Sequence, residues 1–315
     1  MNILVSNNHL KRTGGTENYT YALIVELIRQ GHVVEYFTFK KGFVSKKIEA
    51  EGVRFMSGKK YDLIIANHKT TVQLLHRKGF IIQTCHGTLP SIEQPSNYAD
   101  AYVSVTQEVH DHLYRQGVDS LLIRNGIDCE RFSPRKQLNE QLKVVLSLCQ
   151  SEEANELIEQ VCAEQGITYL KADKKMDNIW HLESLINEAD LVVGIGRSVY
   201  DAMACGRPVI SFDKRKYSQA LGDGYLNAQN LEVSIRHNCS GRGSGKTMDA
   251  ESFKEELKKY NPSDGQFLRD FALKEFNIEK SVQQYLDVLA KNGPKQTPSM
   301  NFFRSLFFRV KGRFT

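Results

Sequence analysis

The chain is 315 residues long, 41% hydrophobic and 25% charged, enough to bury a core and at the size where one large domain gives way to two. Those fractions are globular averages and no apolar run approaches the ~20 residues that span a bilayer, which argues against a disordered chain and against an integral membrane fold. The 42 Lys and Arg against 37 Asp and Glu leave a formal net charge of +5, too mild over this length to mark a nucleic-acid binder.

In chain order, Asn2 to Ser6 is a short apolar run and Thr16 to Gln30 carries helical spacing through Tyr19, Leu23 and Leu27 and through Ile24 and Ile28. Gly31 stops the helix, and Val33 to Phe39 is apolar again. After this strand-helix-strand unit come further strands at Tyr61 to Ala66, Phe80 to Thr84, Ala101 to Val105 and Leu121 to Arg124. Runs apolar on consecutive residues predict strands of a parallel sheet covered by helices on both faces. The turn-rich stretch from Asn125-Gly126-Ile127-Asp128 to Ser133-Pro134-Arg135 breaks the pattern, and Val144 to Leu148 starts it afresh. The second series has a helix over Glu153 to Gln165, a strand at Ile167 to Leu170 and a helix over Trp180 to Asn187. It continues with a strand at Leu191 to Val193, a helix over Ser198 to Cys205 and a strand at Pro208 to Phe212. The expectation is an α/β chain of two Rossmann-like, doubly wound halves facing a cleft at their strand carboxyl ends. The domains read as 1–134 and 135–262, with closing helices over 263–292 and a tail over 293–315.

Cys85, Cys129, Cys149, Cys162, Cys205 and Cys239 are scattered with no CxxC pair, and the N-terminus enters a strand rather than a basic segment with an apolar core. That predicts reduced, buried thiols in a cytoplasmic protein, with no zinc site.

Gly14-Gly15 lies between the first strand and the first helix, with Thr16 as the expected N-cap. Glycines there let backbone approach a ligand, and the open amides of a helix start attract an anion. Asp190 to Cys205, DLVVGIGRSVYDAMAC, reads strand, glycine turn, helix, with Asp213 closing the next strand. Val199 stands where a dinucleotide fingerprint needs its third glycine. The general device survives: Gly194 and Gly196 admit close approach, the helix from Arg197 offers its amides to phosphate, and Arg197 adds a fork of donors. Asp201 is either an acceptor for a vicinal diol or a solvated first-turn carboxylate. His86-Gly87 puts an imidazole at a strand's carboxyl end, able to change hydrogen-bonding role near neutral pH. Ser240 to Thr247, SGRGSGKT, ends like a phosphate loop, but Ser240 replaces the needed glycine and no buried strand precedes it, so a flexible basic loop is expected. No aspartate pair at a strand end, H-E-x-x-H or serine elbow is present, so metal catalysis and hydrolase triads have no support.

Together, several segments resemble the retaining family-4 glycosyltransferases of the GT-B fold. GGTENYTYALIVELIRQGHVVEYFT resembles that family's first strand-helix-strand unit, QTCHG the strand end with its cleft histidine, and YADAYVSVTQEVHDHLYRQG its last N-domain helix. NGIDCERFSP is similar to its interdomain hinge, DAMACGRPVI to its donor-site helix and following strand, and ALKEFNIEKSVQQYLDVL to its closing helix. The resemblance runs to about Lys291. It implies a sugar nucleotide bound mainly by the second domain, a glycan or lipid-linked acceptor held by the first, transfer with retention, and no obligatory metal or other cofactor. Cell-surface polysaccharide or glycolipid synthesis is the implied setting. Carried over, His86 and Arg197 are the catalytic candidates, with Gly14, Gly15, Gly194, Gly196, Arg197, Ser198 and Asp201 on the donor side and Asn67 and His68 on the acceptor side. Gly15 would approach the diphosphate, His86 the transferred sugar, and Asp201 the ribose hydroxyls. The departures are that Val193 stands where the family has its first glutamate, Asp201 is shortened from the second, and SLCQSEEANEL lacks the Gly-Arg and Lys that clamp the diphosphate. Arg197 is expected to replace that clamp.

Beyond Pro294 and Pro298, Met300 to Thr315 carries Arg304, Arg309, Lys311 and Arg313 and no acid, with Phe303, Leu306, Phe307, Val310 and Phe314 on one helical face. That pattern suits peripheral contact with an anionic membrane, against the alternative of a helix docked on the first domain or a frayed end. Two other classes compete with a transferase: a GT-B module that binds nucleotide sugar or glycan without turnover, and a nucleotide-sugar epimerase or nicotinamide enzyme.

Overall fold

The computed structural model describes residues 1–58, 60–172, 179–215 and 221–293. The membrane-contact reading of 300–315 therefore lies outside the described residues.

The first half runs β1 (Asn2–His9), α1 (Gly15–Arg29), β2 (Val33–Lys40), α2 (Phe43–Ala50), β3 (Arg54–Phe55), β4 (Leu63–Ala66), α3 (Lys69–Leu75), β5 (Phe80–Cys85), β6 (Ala101–Ser104), α4 (Gln107–Arg115) and β7 (Leu121–Leu122). Its sheet has the order β3-β2-β1-β4-β5-β6-β7 and every pairing is parallel. Strand direction of travel reverses between β1 and β4, so the crevice at their carboxyl ends is the natural ligand position. β1 outruns the apolar stretch that marks it because its pairing with β2 continues to His9 opposite Lys40. α1 begins at Gly15 with Gly14 as its N-cap, so Thr16 does not cap it. The Thr16 hydroxyl instead lies one position inside, 3.2 Å from Glu17 Oε2.

The second half runs β8 (Val144–Ser147), α5 (Glu152–Glu164), β9 (Thr168–Lys171), α6 (Leu182–Asn187), β10 (Leu191–Gly194), α7 (Arg197–Ala204), β11 (Val209–Phe212), β12 (Leu221–Tyr225), α8 (Leu231–Arg236), β13 (Lys246–Thr247), α9 (Ala250–Leu257), α10 (Ser263–Glu275) and α11 (Ile278–Asn292). Its order is β13-β12-β11-β10-β8-β9. β9, β8, β10 and β11 are parallel, whereas β12 and β13, which the sequence reading did not include, add an antiparallel edge. The connection over 213–220 is too short for a crossover helix, and only an antiparallel return is open to it.

Buried apolar residues cover both faces of each sheet. The two last helices divide between the halves. α10 gives Leu268 and Ala272 to the second core, while Ile278, Val282, Tyr285 and Val288 of α11 join the first. At roughly 1.5–3 kcal/mol per fully buried large apolar side chain, those four anchor α11 across the divide. The chain's two crossings hydrogen-bond to each other, Ile127 N to Phe276 O at 2.7 Å and Ile278 N to Ile127 O at 3.0 Å. Gly126 is required there, since a Cβ would sit 2.5 Å from Ile278 Cδ1 and 2.8 Å from Ser281 Oγ. All six cysteines are buried and unpaired. Among the described residues no helix is long and apolar enough to cross a membrane.

Candidate functional site

Between the halves lies a cavity of about 780 Å³, walled by loops that leave the carboxyl ends of strands in both sheets. The first half supplies Arg12 to Gly15 after β1 and His86 to Pro90 with Glu93 after β5. The second supplies Cys149 and Gln150 after β8, Ile195 to Ser198 with Asp201 after β10, and Arg215 after β11.

His86 follows β5, and its Nε2 lies 3.0 Å from Asn67 Oδ1. The Asn67 amide is oriented by donating from Nδ2 to the Ser6 carbonyl at 3.1 Å, a group that can only accept. Its Oδ1 therefore faces the ring, and Nε2 carries the proton. Burial, then the nearby His68, then the Arg197 charge push His86 down to about 3. It is a fixed neutral imidazole near pH 7, so the expectation of a group that changes role there is corrected. Nδ1 is buried with no hydrogen-bond partner among the described residues. Burial and His9 push His68 down to about 4 in the same way.

α7 presents Arg197 at its first position. Its N-cap Gly196 has φ +60°, ψ −130°, a backbone closed to other residues without strain. Gly196 N donates to Cys239 O at 3.0 Å. Asn238 and Cys239 are the two non-glycine residues at positive φ among the described residues, so the turn that meets α7 is itself strained. Arg197 Nη1 donates to the hinge carbonyl of Gly126 at 3.2 Å, and Nε pairs with Asp201 Oδ1 at 3.4 Å. Asp201 is buried at the cavity wall, which rules out the solvated-carboxylate alternative. Arg197 is thus held by one hydrogen bond and one ion pair, and its Nε makes no hydrogen bond among the described residues.

Where the clamp is missing, the structure places a carboxylate. Asp213, fully buried, accepts from Gln150 N at 3.0 Å and Ser151 N at 3.1 Å and pairs with Arg215 Nε at 2.6 Å. The amides ahead of α5 are therefore already occupied by an anion of the protein. Val193 is wholly buried in β10 and presents nothing to the cavity.

The glycine-rich segment 240–245 is no flexible loop. Asp223 accepts from Gly241 N at 3.2 Å, Ser244 N at 2.8 Å and Ser234 Oγ at 2.6 Å, and Lys246–Thr247 pairs with β12 as β13. Held in this way, the loop brings Ser240 and Arg242 to the cavity wall, and Arg242 Nη2 reaches Glu108 Oε2 of the first half at 2.5 Å.

Of the sequence candidates, the structure gathers Gly14, Gly15, His86, Gly196, Arg197, Ser198 and Asp201 on the cavity wall. Gly194 is not brought there, since it ends β10 against Ser198 and Leu148. Asn67 and His68 do not line the cavity either: Asn67 is fully buried behind His86, and His68 Nδ1 accepts from Asn8 N at 3.2 Å. Asn67 instead holds His86 through its amide oxygen. Arg12, Glu93 and Arg242 were not anticipated on the cavity wall. Arg12 could have been read from its place beside Gly14-Gly15, whereas the others depend on long-range contacts. Among the described residues no cluster of three or more His, Cys, Asp or Glu is placed to hold a metal.

No family model and no curated protein matches the sequence. Among solved structures, the catalytic domain of Starch Synthase IV from Arabidopsis thaliana, bound to ADP and acarbose, is similar with a TM-score of 0.55 at 13% identity, over 93% of this chain and 99% of that one. An alpha-glucosyltransferase in complex with UDP and a 13-mer DNA containing an HMU base gives 0.53 at 10% identity, over 92% and 99%. At these identities the likeness establishes the fold, two Rossmann-like domains facing a central cleft in the GT-B arrangement.

Proposed function

We propose that the chain is a metal-independent glycosyltransferase of the family-4 kind, moving a hexose from a nucleotide-sugar donor to a glycan or lipid-linked acceptor with retention. The setting that fits is cell-surface polysaccharide or glycolipid synthesis at the cytoplasmic side of a membrane, with the basic tail 300–315 as the membrane contact. The observation that carries the reading is a set of buried polar atoms around one cleft, Asn18 Oδ1, His86 Nδ1, Arg197 Nε and Arg242 Nε, that lack hydrogen-bond partners among the described residues. Such atoms are rare in a finished interior, and a polyhydroxylated, anionic ligand complements this mixture of acceptors and cations. The UDP and ADP held by the two similar structures support the choice of a sugar nucleotide as that ligand.

In this reading the amides at the start of α7 and the Arg197 guanidinium receive the diphosphate, stabilising the charge that develops as the glycosidic bond breaks. Neutral His86, held by Asn67, meets a sugar hydroxyl. Approach of the two domains excludes water and so limits hydrolysis. A binding module without turnover is the second reading, favoured by Val193 and by Asp213 in the amide pocket before α5. Incubation with a panel of sugar nucleotides, with and without lipid-linked acceptors, separates them through nucleoside diphosphate release. Acceptor-dependent release is expected; binding without release would establish the second reading.

A further inference from the structure

The turn that carries the chain from β10 into α7 consists of Gly194, Ile195 and Gly196 and offers no polar side chain of its own. Asn238, just past the end of α8, covers it: a Cβ built on Gly196 would stand 3.7 Å from both Asn238 Nδ2 and Asn238 O. Asn238, Gly196 and Arg197 all line the cavity.

The bend that delivers this side chain is strained and firmly held. Asn238 has φ +60° and Cys239 φ +45°. Asparagine tolerates the left-handed region better than most residues, whereas a cysteine there is under strain. Asn238 N donates to Ile235 O at 3.0 Å and Cys239 N to Ser234 O at 2.7 Å. Cys239 O accepts twice, from Gly196 N at 3.0 Å and from Ser211 Oγ at 3.1 Å. Such a bend persists only where its surroundings over-determine it, and beside a cavity it marks a functional position.

The amide is oriented as well as placed. Tyr200 OH donates to Asn238 Oδ1 at 3.1 Å, and the Tyr200 ring is itself fixed, buried and stacked on Phe276 with centroids 4.2 Å apart. The oxygen end is therefore spoken for, and Nδ2 has no hydrogen-bond partner among the described residues. An amide nitrogen offers donors without charge. The anionic part of a sugar nucleotide is matched by Arg197 and the first amides of α7, so a neutral donor beside them suits a neutral acceptor, which a sugar hydroxyl is. On the first-domain wall, His86 Nδ1 is a buried acceptor that likewise lacks a partner among the described residues. Hydroxyls both give and take hydrogen bonds, and the two walls offer one of each kind.

We propose that Asn238 is a specificity residue of the donor site, donating from Nδ2 to a hydroxyl of the transferred sugar. The inference rests on the transferase reading above and names the side chain through which the second domain reads the sugar rather than the diphosphate.

The test is calorimetric titration of the full chain with UDP-glucose, UDP-N-acetylglucosamine, ADP-glucose and GDP-mannose, each beside its free nucleoside diphosphate. Asn238→Gly keeps the backbone, since glycine takes φ +60° without strain, and removes the amide. It should weaken binding of the sugar nucleotide that the wild type prefers by about 3- to 10-fold, the loss expected for one neutral hydrogen bond, and leave the free diphosphate unchanged. Tyr200→Phe keeps the stacked ring and releases the amide. It should give a smaller loss of the same kind, and it decides the matter if Asn238→Gly does not fold. Unchanged sugar-nucleotide affinity in both variants would overturn the assignment. An equal loss for the free diphosphate would overturn it too, because Asn238 would then only support the turn into α7. No binding of any probe by the wild type would overturn the sugar-nucleotide reading itself, and this inference with it.

Discussion

His68 and His86 are held neutral by burial, down to about 4 and about 3, against 6.5 in an unfolded chain. Below pH 6.5 the unfolded chain therefore binds protons that the folded protein refuses. Stability must fall as pH drops from about 6.5 toward the folded values, by up to about 1.4 kcal/mol per unit for each histidine. Glu17 and Glu93 act in the opposite sense, because their raised values let the folded form take protons first. Urea unfolding at pH 7 and pH 5 measures the balance. The wild type is expected to lose more stability than His68→Asn over that interval, and equal losses would contradict the assignment of His68 as a buried neutral ring. The tautomer of His86 was not legible in the sequence, because it is set by Asn67, a residue 19 positions away. The motif showed that a histidine reaches the cleft; the contacts behind it decide what the histidine does.

Among the elements, the parallel strands and α1, α5 and α7 were legible because runs such as Ile3 to Val5 and Val192 to Val193 are buried on both faces. β12 was not, since LGDGY has neither alternation nor an apolar run. Its place is fixed by pairing with β11 and by Asp223, which spans 18 positions to hold Gly241. That fixation yields a sharp expectation. Gly241 has φ +82°, and a Cβ on it would stand 2.0 Å from Leu221 O, a backbone atom that cannot swing aside. Gly241→Ala should cost at least about 1–3 kcal/mol from the strained backbone alone, with the clash added. Gly245→Ala, at φ +66° but in open space, should cost only the strain. Thermal unfolding of the two variants checks the order, and equal losses would contradict the close packing of the loop.

At the scale of the molecule, side-chain pairs join the halves in addition to α11 and the hydrogen-bonded crossings. One is the Glu108 to Arg242 pair, about three-quarters buried at the cleft. Another is made by Trp180, the sole tryptophan, which meets Tyr21 of α1 edge-on at 4.7 Å with Arg131 of the hinge 4.9 Å from its ring. Cations of both halves, Arg12, Arg197 and Arg242, converge on one cavity wall. In the proposed function this convergence receives a nucleoside diphosphate through Arg197. The direct measurement is a calorimetric titration of nucleoside diphosphates and sugar nucleotides into the wild type and Arg197→Ala. Binding by the wild type, weakened about tenfold or more in the variant as expected for loss of a charge-assisted contact worth roughly 1.5–3 kcal/mol, is the predicted result. No binding by the wild type, or the same affinity in both proteins, would contradict it.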